Sequence, residues 1–195
     1  MSAGAPTKLK FFKAFLGNPL QVGAVLPSGE RLAQEITDPI DFETAKVIVE
    51  FGPGTGAFTQ VIQRRLKPDT KFLALELNPS MADGIEARFP KVDLIRDSAE
   101  NLLEHLEARG IDKVDAIVSG LPFAFFPSDL QIRILEAACI ALAPGGQFLS
   151  FTYYHSIPLP TANRYFARLR RIFSEVERVP VLRNIPPAFV LRARR

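Results

Sequence analysis

An acid and three glycines stand together in the run Val47-Ile48-Val49-Glu50-Phe51-Gly52-Pro53-Gly54-Thr55-Gly56. Gly52, Gly54 and Gly56 allow a tight turn and let a ligand lie against the backbone with no Cβ in the way. Glycine turns of this kind often seat a pyrophosphate on a helix N-terminus. Here Glu50 projects a carboxylate near that point and repels one, so the turn suits a cationic or hydroxyl-bearing small molecule. Glu76 falls about twenty residues beyond the glycines, where an acid takes the two hydroxyls of a ribose. Asp97, with Ser98 and Ala99, is placed to hydrogen-bond an adenine edge, and equally to cap a helix. Adenine, ribose and a positively charged amino-acid tail together describe S-adenosylmethionine.

These residues need a scaffold that gathers them, and the hydrophobic pattern supplies one. Short runs at 47–51, 72–76, 92–95, 114–119, 147–153, 174–179 and 188–192 read as strands, the first of them β-branched. Helical stretches near 57–66, 79–88, 98–109 and 128–142 separate the first five, and another runs near 161–171. The turn Ala143-Pro144-Gly145-Gly146 is expected to stop the fourth helix sharply. Alternating β and α units imply an α/β fold, a seven-stranded, mostly parallel Rossmann-like sheet with helices on both faces. With no long helix between the last two strands, the sheet should end in an antiparallel pair. Ligands of such sheets bind at the carboxyl ends of the strands. Glu50 with its glycines, Glu76, Asp97 and the turn Ser119-Gly120-Leu121-Pro122-Phe123 all fall there.

The chain of 195 residues is long enough to bury one full core. Its single cysteine, Cys139, sits in an apolar helical pattern, and its only histidines are His105 and His155, so no metal site is expected. The N-terminus lacks the pattern of a signal peptide, and no apolar run approaches the ~20 residues of a membrane span. A soluble, cytoplasmic protein is expected. The net charge of +3 is uneven: Lys8, Lys10 and Lys13 crowd the start, arginines crowd the last third, and acids lie mostly between 30 and 115. Two basic ends point to an anionic partner, membrane lipid or nucleic acid.

The elements Glu50-Phe-Gly-Pro-Gly-Thr-Gly, Leu75-Glu76-Leu77-Asn78, Asp97-Ser-Ala and Ser119-Gly-Leu-Pro resemble those of class I S-adenosylmethionine-dependent methyltransferases, over about residues 46–154. The resemblance implies that Glu50, Gly52, Gly54 and Gly56 line the methionine tail. It places the ribose at Glu76, beside Leu77 and Asn78, and the adenine at Asp97, Ser98 and Ala99. Ser119 would sit beside the sulfonium, with Ser28 also at the cofactor.

Further segments make the likeness more particular: Phe11-Phe12-Lys13-Ala14-Phe15-Leu16-Gly17-Asn18-Pro19, Gly23-Ala24-Val25-Leu26-Pro27-Ser28, Phe151-Thr152-Tyr153 and Arg183-Asn184-Ile185-Pro186-Pro187-Ala188. With these, nearly the whole chain is similar to the bacterial phospholipid N-methyltransferases. That implies methylation of the amine of phosphatidylethanolamine toward phosphatidylcholine, by direct SN2 transfer with S-adenosylhomocysteine as product. Residues 1–20 would form a membrane-docking helix and 21–195 the methyltransferase domain. On a helix through 8–16, Leu9, Phe11, Phe12, Phe15 and Leu16 share one arc while Lys10 and Lys13 occupy the other, with Lys8 at the start. Such a helix suits an anionic membrane interface, or packing across a sheet edge.

A second similar family is the ribosomal RNA adenine dimethyltransferases, whose turn uses an asparagine where this chain has Gly120. The extra C-terminal helical domain common in that family is not expected here. Phe123 would stack on a base in that reading, or wall a pocket for a small ammonium. Tyr153, Tyr154 and His155 are candidates for positioning the amine or passing its proton to water. Arg183, Asn184 and Arg164, with Arg168 on the rim, are candidates for the lipid phosphate. The expected partners are the inner face of the cell membrane and the lipid, with no nucleic acid and a monomeric state. RNA adenine methylation and a non-catalytic S-adenosylmethionine-binding module are the alternatives.

Overall fold

The computed structural model describes residues 29–195. The expectations for Lys8, Lys10, Phe11, Phe12, Lys13, Phe15 and Ser28 lie outside the described residues. Strand β1 (Val47–Phe51) is buried along its whole length, as a central strand covered on both faces must be. Beside it run β2 (Lys71–Leu75) and β3 (Asp93–Ile95) on one side, and β4 (Val114–Ser119) and β5 (Leu142–Tyr153) on the other, all parallel. Strands β6 (Glu175–Val181) and β7 (Ala188–Arg194) complete the sheet, in the order β3-β2-β1-β4-β5-β7-β6. β7 is antiparallel to both β5 and β6, and inserts between them. The expected seven-stranded sheet with an antiparallel end is therefore present.

Helices α2 (Ala57–Arg65), α3 (Pro79–Arg88), α4 (Leu102–Glu107), α5 (Ser128–Ala141) and α6 (Pro160–Ile172) connect the strands. One layer of core joins β-strand residues such as Phe51, Ile117 and Phe148 to Leu102 of α4, Leu135 of α5 and Tyr165 of α6. The opposite layer joins Ile48, Val118 and Leu149 to Ile62 of α2 and to Leu32 and Ile36. The last two belong to α1 (Glu30–Thr37), a helix not expected from the sequence, which packs against α2, β5 and β7.

Two boundaries differ from expectation. The stretch 98–109 is not one helix: a 3₁₀ turn at Ala99–Asn101 precedes α4. The Ala143-Pro144-Gly145-Gly146 turn lies inside β5 as a bulge, with Leu142 paired to Val114 and Gln147 already paired to Ala116. The bulge bends β5 without ending its pairing.

The α5–α6 layer is fastened by polar groups. Gln131 Nε2 donates to the Phe123 carbonyl (2.7 Å) and the Phe126 carbonyl (3.2 Å), and its Oε1 accepts from Arg168. Arg168 also donates to Ser128 Oγ at 2.7 Å. The turn that follows β4 is thus held from below by buried hydrogen bonds, each costly to leave unmade.

Candidate active site

The carboxyl ends of β1, β2, β3 and β4 are laced together by backbone bonds that run past the strands. Gly52 N–H donates to the Leu75 carbonyl (2.8 Å), Glu76 N–H to that of Ile95 (2.9 Å) and Gly120 N–H to that of Phe51 (2.8 Å). Gly52, Gly54 and Gly56 all have positive φ, at 63°, 54° and 82°. Only glycine adopts these conformations readily. Around Gly54 the space a Cβ would take is almost empty, the nearest heavy atom being the Gly52 carbonyl oxygen at 3.9 Å. Arg88 of α3 donates to the Thr55 carbonyl at 2.6 Å and steadies the far side of the turn.

Glu76 stitches this turn to the end of β2. Its Oε2 accepts from Gly54 N–H (3.0 Å) and its Oε1 from Asn78 N–H (2.9 Å). Asn78 in turn caps α3, its side chain accepting from Ser80 N–H and Met81 N–H. Leu77 lies between the two. Burial raises the Glu76 carboxyl above its ordinary range, against the backbone N–H donors of Asn78, Gly54 and Leu77.

Glu50 is fully buried at the end of β1. Its Oε2 accepts from Thr59 Oγ1 of α2 at 2.7 Å, and its Oε1 has no hydrogen-bond partner. Burial pushes its carboxyl up to about 8; the Thr59 bond works against the rise and the neighbouring charge of Glu76 adds to it. A buried carboxylate with one unsatisfied oxygen is costly in isolation and favourable only when a cation reaches it. Beside an open glycine turn, that combination fits the amino-acid tail of S-adenosylmethionine.

Ser119 is completely buried at the end of β4, and its Oγ accepts from Leu121 N–H at 3.3 Å. A Cβ at Gly120 would lie 2.5 Å from the Gly52 carbonyl oxygen. The residue there is glycine because the two turns touch backbone to backbone.

Several expected roles are corrected by the packing. Phe123 is 1% exposed, its ring stacked on Tyr165 at 4.5 Å and flanked by Phe126 and Phe148. It is a core residue, and neither a base-stacking platform nor a pocket wall. The lone-pair positions of Asp97 are filled by Ser98 N–H, the Asn101 amide and His105 Nε2 (2.8 Å). Burial opposes its ionisation, but these donors outweigh that and lower its pKa. An adenine amine at Asp97 would displace one of them. Ser98 Oγ meets Glu100 at 3.3 Å and Ala99 is buried. Asn184 is 3% exposed and donates to the Pro186 carbonyl at 2.7 Å, so it shapes its loop and does not reach for a phosphate. Arg168 is spent on Gln131 and Ser128.

Other candidates gather near the end of β5 and the loops beside it. Tyr153 ends β5 with its ring stacked on exposed His155 at 5.4 Å, whereas Tyr154 turns away and stacks on Phe189 of β7 at 4.0 Å. Arg183 and Arg164 are exposed, and none of the ion pairs among the described residues involves them. Sequence reasoning missed Thr59, the buried partner of Glu50, and His105, the partner of Asp97. Both contacts join different elements, and no local spacing signals them. Among the described residues no cluster of His, Cys, Asp or Glu is arranged to hold a metal.

An open glycine turn flanked by two strand-end acids is the arrangement expected at the cofactor cleft of a methyltransferase. A family model described as "Methyltransferase domain" matches residues 48–146. The chain belongs to the class I S-adenosylmethionine-dependent methyltransferases, and S-adenosylmethionine is its cofactor. It is 35% identical over 187 residues to a protein of Singulisphaera acidiphila named ornithine lipid N-methyltransferase, covering 92% of this chain and 94% of that one. A shorter match, 32% over 89 residues, covers 46% of this chain and 30% of a probable ribosomal RNA small subunit methyltransferase A of Methanosarcina acetivorans. Among solved structures, the O-methyltransferase TomG of Streptomyces achromogenes in complex with S-adenosylmethionine shares the fold. Its TM-score is 0.68 at 16% identity, over 100% of this chain and 92% of that one.

Proposed function

We propose that the chain methylates the amine of an aminolipid headgroup, converting phosphatidylethanolamine and its mono- and dimethylated forms toward phosphatidylcholine. The observation that carries this reading is the near-full-length likeness to a protein named for lipid N-methylation. The cofactor supplies an electrophilic methyl group on a sulfonium. Glu50 would meet its ammonium, Glu76 its ribose, and the Gly52–Gly56 turn would lie along its tail.

An aminolipid headgroup sets an amine a few bonds from an anion, a phosphate in phosphatidylethanolamine or a carboxylate in an ornithine lipid. A guanidinium forks onto either, and the exposed Arg183 and Arg164 near the end of β5 are the residues to do it. The reacting amine must shed a proton, because a lysine-like ammonium is largely charged at neutral pH. The Tyr153–His155 stack is the candidate to orient the amine, with His155 facing water to carry the proton away. Direct in-line displacement needs little more than correct alignment of nitrogen, methyl and sulfur. Residues 1–20 would dock the enzyme on the inner face of the cell membrane.

The RNA reading is disfavoured at Gly120, where an asparagine side chain has no room against the Gly52 carbonyl. Methyl-labelled S-adenosylmethionine offered with phosphatidylethanolamine, an ornithine lipid and a ribosomal RNA fragment tests both readings. Label is expected in the lipid extract. Label in RNA alone overturns the lipid reading, and no label in any acceptor leaves the non-catalytic binding module.

A further inference from the structure

Among the described residues, the exposed large hydrophobic side chains are Ile140, Leu182 and Ile185. Two of these share the loop between β6 and β7, at 64% and 82% exposure, with Arg183 between them. An apolar pair so fully open to water at a loop tip marks a surface kept for something else.

The tip is built, and it is tied to the active site. Asn184 N–H bonds back to the Val181 carbonyl (3.3 Å) and its amide donates to the Pro186 carbonyl, while Gly29 lies against its Oδ1. Val181 pairs with Ala188, and Ala188 pairs with Tyr153. Tyr154 N–H donates to the Pro187 carbonyl at 3.1 Å, and the Tyr154 ring stacks on Phe189. The tip is thus joined through the start of β7 to the end of β5, where the Tyr153–His155 stack stands.

Basic residues outnumber acids in this part of the chain. Helix α6 carries no acid and has Arg164 in its first half, nearer this end of the sheet than Arg170 and Arg171 in its last turn. The chain from Val181 onward has no acid; Glu30, next to Gly29, is the acid that follows the residue against Asn184. The acids of β6, Glu175 and Glu177, already face Arg194 and Arg192. Arg178 lies over the Phe166 ring at 4.0 Å, its pKa lowered by burial and by the charge of Arg170. Burial and the charges of Arg164 and Arg171 lower that of Arg168 in the same way. Arg183 and Arg164 join no ion pair among the described residues, and their charge complements an anionic surface.

We infer that the β6–β7 tip is a membrane-seating wedge: Leu182 and Ile185 enter the headgroup–acyl boundary of an anionic bilayer, Arg183 lies at its phosphates, and the headgroup layer is thereby brought to the Tyr153–His155 stack. The inference rests on the lipid reading above and adds to residues 1–20 a second anchor inside the catalytic domain. Arg183 and Arg164 supply the electrostatic attraction, and the two apolar side chains supply the insertion.

The chain has no tryptophan, so Ile185→Trp in the full-length protein gives a single indole reporter at an exposed position. Phosphatidylglycerol vesicles are the probe, because that lipid is anionic and has no amine to methylate. The expected result is a blue-shifted indole emission, quenched by lipid brominated on its acyl chains, and a much weaker response to phosphatidylcholine vesicles. In parallel, a Leu182→Ser/Ile185→Ser chain is expected to bind phosphatidylglycerol vesicles roughly tenfold more weakly, with unchanged affinity for S-adenosylmethionine. Vesicle binding with the indole still in water overturns the inference. So does a blue shift that follows protein concentration without vesicles, which would assign the tip to self-association. Insertion without methylation of any aminolipid supports the docking surface and overturns the function proposed above, and methylation with the indole in water does the reverse.

Discussion

Because Glu50 is enclosed with one oxygen on Thr59 and the other free, its charge has to be met by something that enters the site. Its carboxyl stands at about 8 in the folded chain against an ordinary 4.5. Between those values the folded state keeps a proton that the unfolded state has released. Stability of the cofactor-free protein therefore falls as pH rises from 4.5 to about 8. A bound ammonium favours the ionised form, so cofactor binding below pH 8 releases a proton and tightens as pH rises. Titration calorimetry in buffers of different ionisation heat is expected to show that proton release. Glu50→Gln is expected to abolish it and to weaken binding roughly 10–100-fold, the value of a charge-assisted hydrogen bond. A Gln variant with native affinity and native pH dependence would show that Glu50 does not face the cofactor. Glu76 acts differently: it already holds Gly54 and Asn78 by their N–H groups, so Glu76→Ala is expected to loosen the turn as well as the ribose contact. The strand-end acids were legible in the sequence because their spacing follows the βα repeat. The burial of Phe123 and Asn184 was not, because Tyr165 and Gly29, which pack against them, come from other elements.

At the scale of elements, the site depends on two turns crossing without side chains and on a clamp beneath them. Gly120→Ala would put a methyl group 2.5 Å from the Gly52 carbonyl oxygen. Since backbone must move to relieve it, the cost is expected at about 1–3 kcal/mol. It should appear as a lower melting temperature together with weaker cofactor binding. Arg168 and Arg164 stand on the same helix and provide a contrast. Arg168→Ala leaves the buried Gln131 oxygen without its donor, and about 1–3 kcal/mol of stability is expected to go with it. Arg164→Ala removes an exposed side chain that joins no ion pair among the described residues, so the melting temperature is expected to stay and lipid turnover to fall. Chemical denaturation beside a turnover assay separates the two. Six of the seven strands were placed to within a residue or two because each is a short run with apolar residues, set off from its neighbours by helical or turn patterns; β5 was not, as its first residues form a bulge. Helix α1 escaped notice because its short apolar face, Leu32, Ala33 and Ile36, follows Pro27-Ser28-Gly29 and is diluted by polar residues. What makes it a helix is its tertiary burial against α2 and β7.

At the scale of the whole molecule, charge and chemistry divide between ends of the chain and its centre. The residues that would hold the cofactor lie between Glu50 and Ser119, whereas the lysine-rich start and the arginine-rich last third flank them. If the flanks bring the enzyme to an anionic surface and the centre performs the transfer, salt must act on one and spare the other. Screening shortens from about 10 Å at 0.1 M to about 3 Å at 1 M ionic strength, which removes attraction to exposed lysines and arginines before contact. Bonds inside the cleft are shielded from this, since Glu50 and Ser119 have no exposed surface. Methylation of phosphatidylethanolamine within phosphatidylglycerol vesicles is therefore expected to show an apparent KM that climbs with salt at constant kcat. The same lipid dispersed in neutral detergent should show neither change. A kcat that falls with salt in both settings would mean that the arginines act on the reacting headgroup itself, and a KM insensitive to salt on vesicles would remove the electrostatic basis for docking.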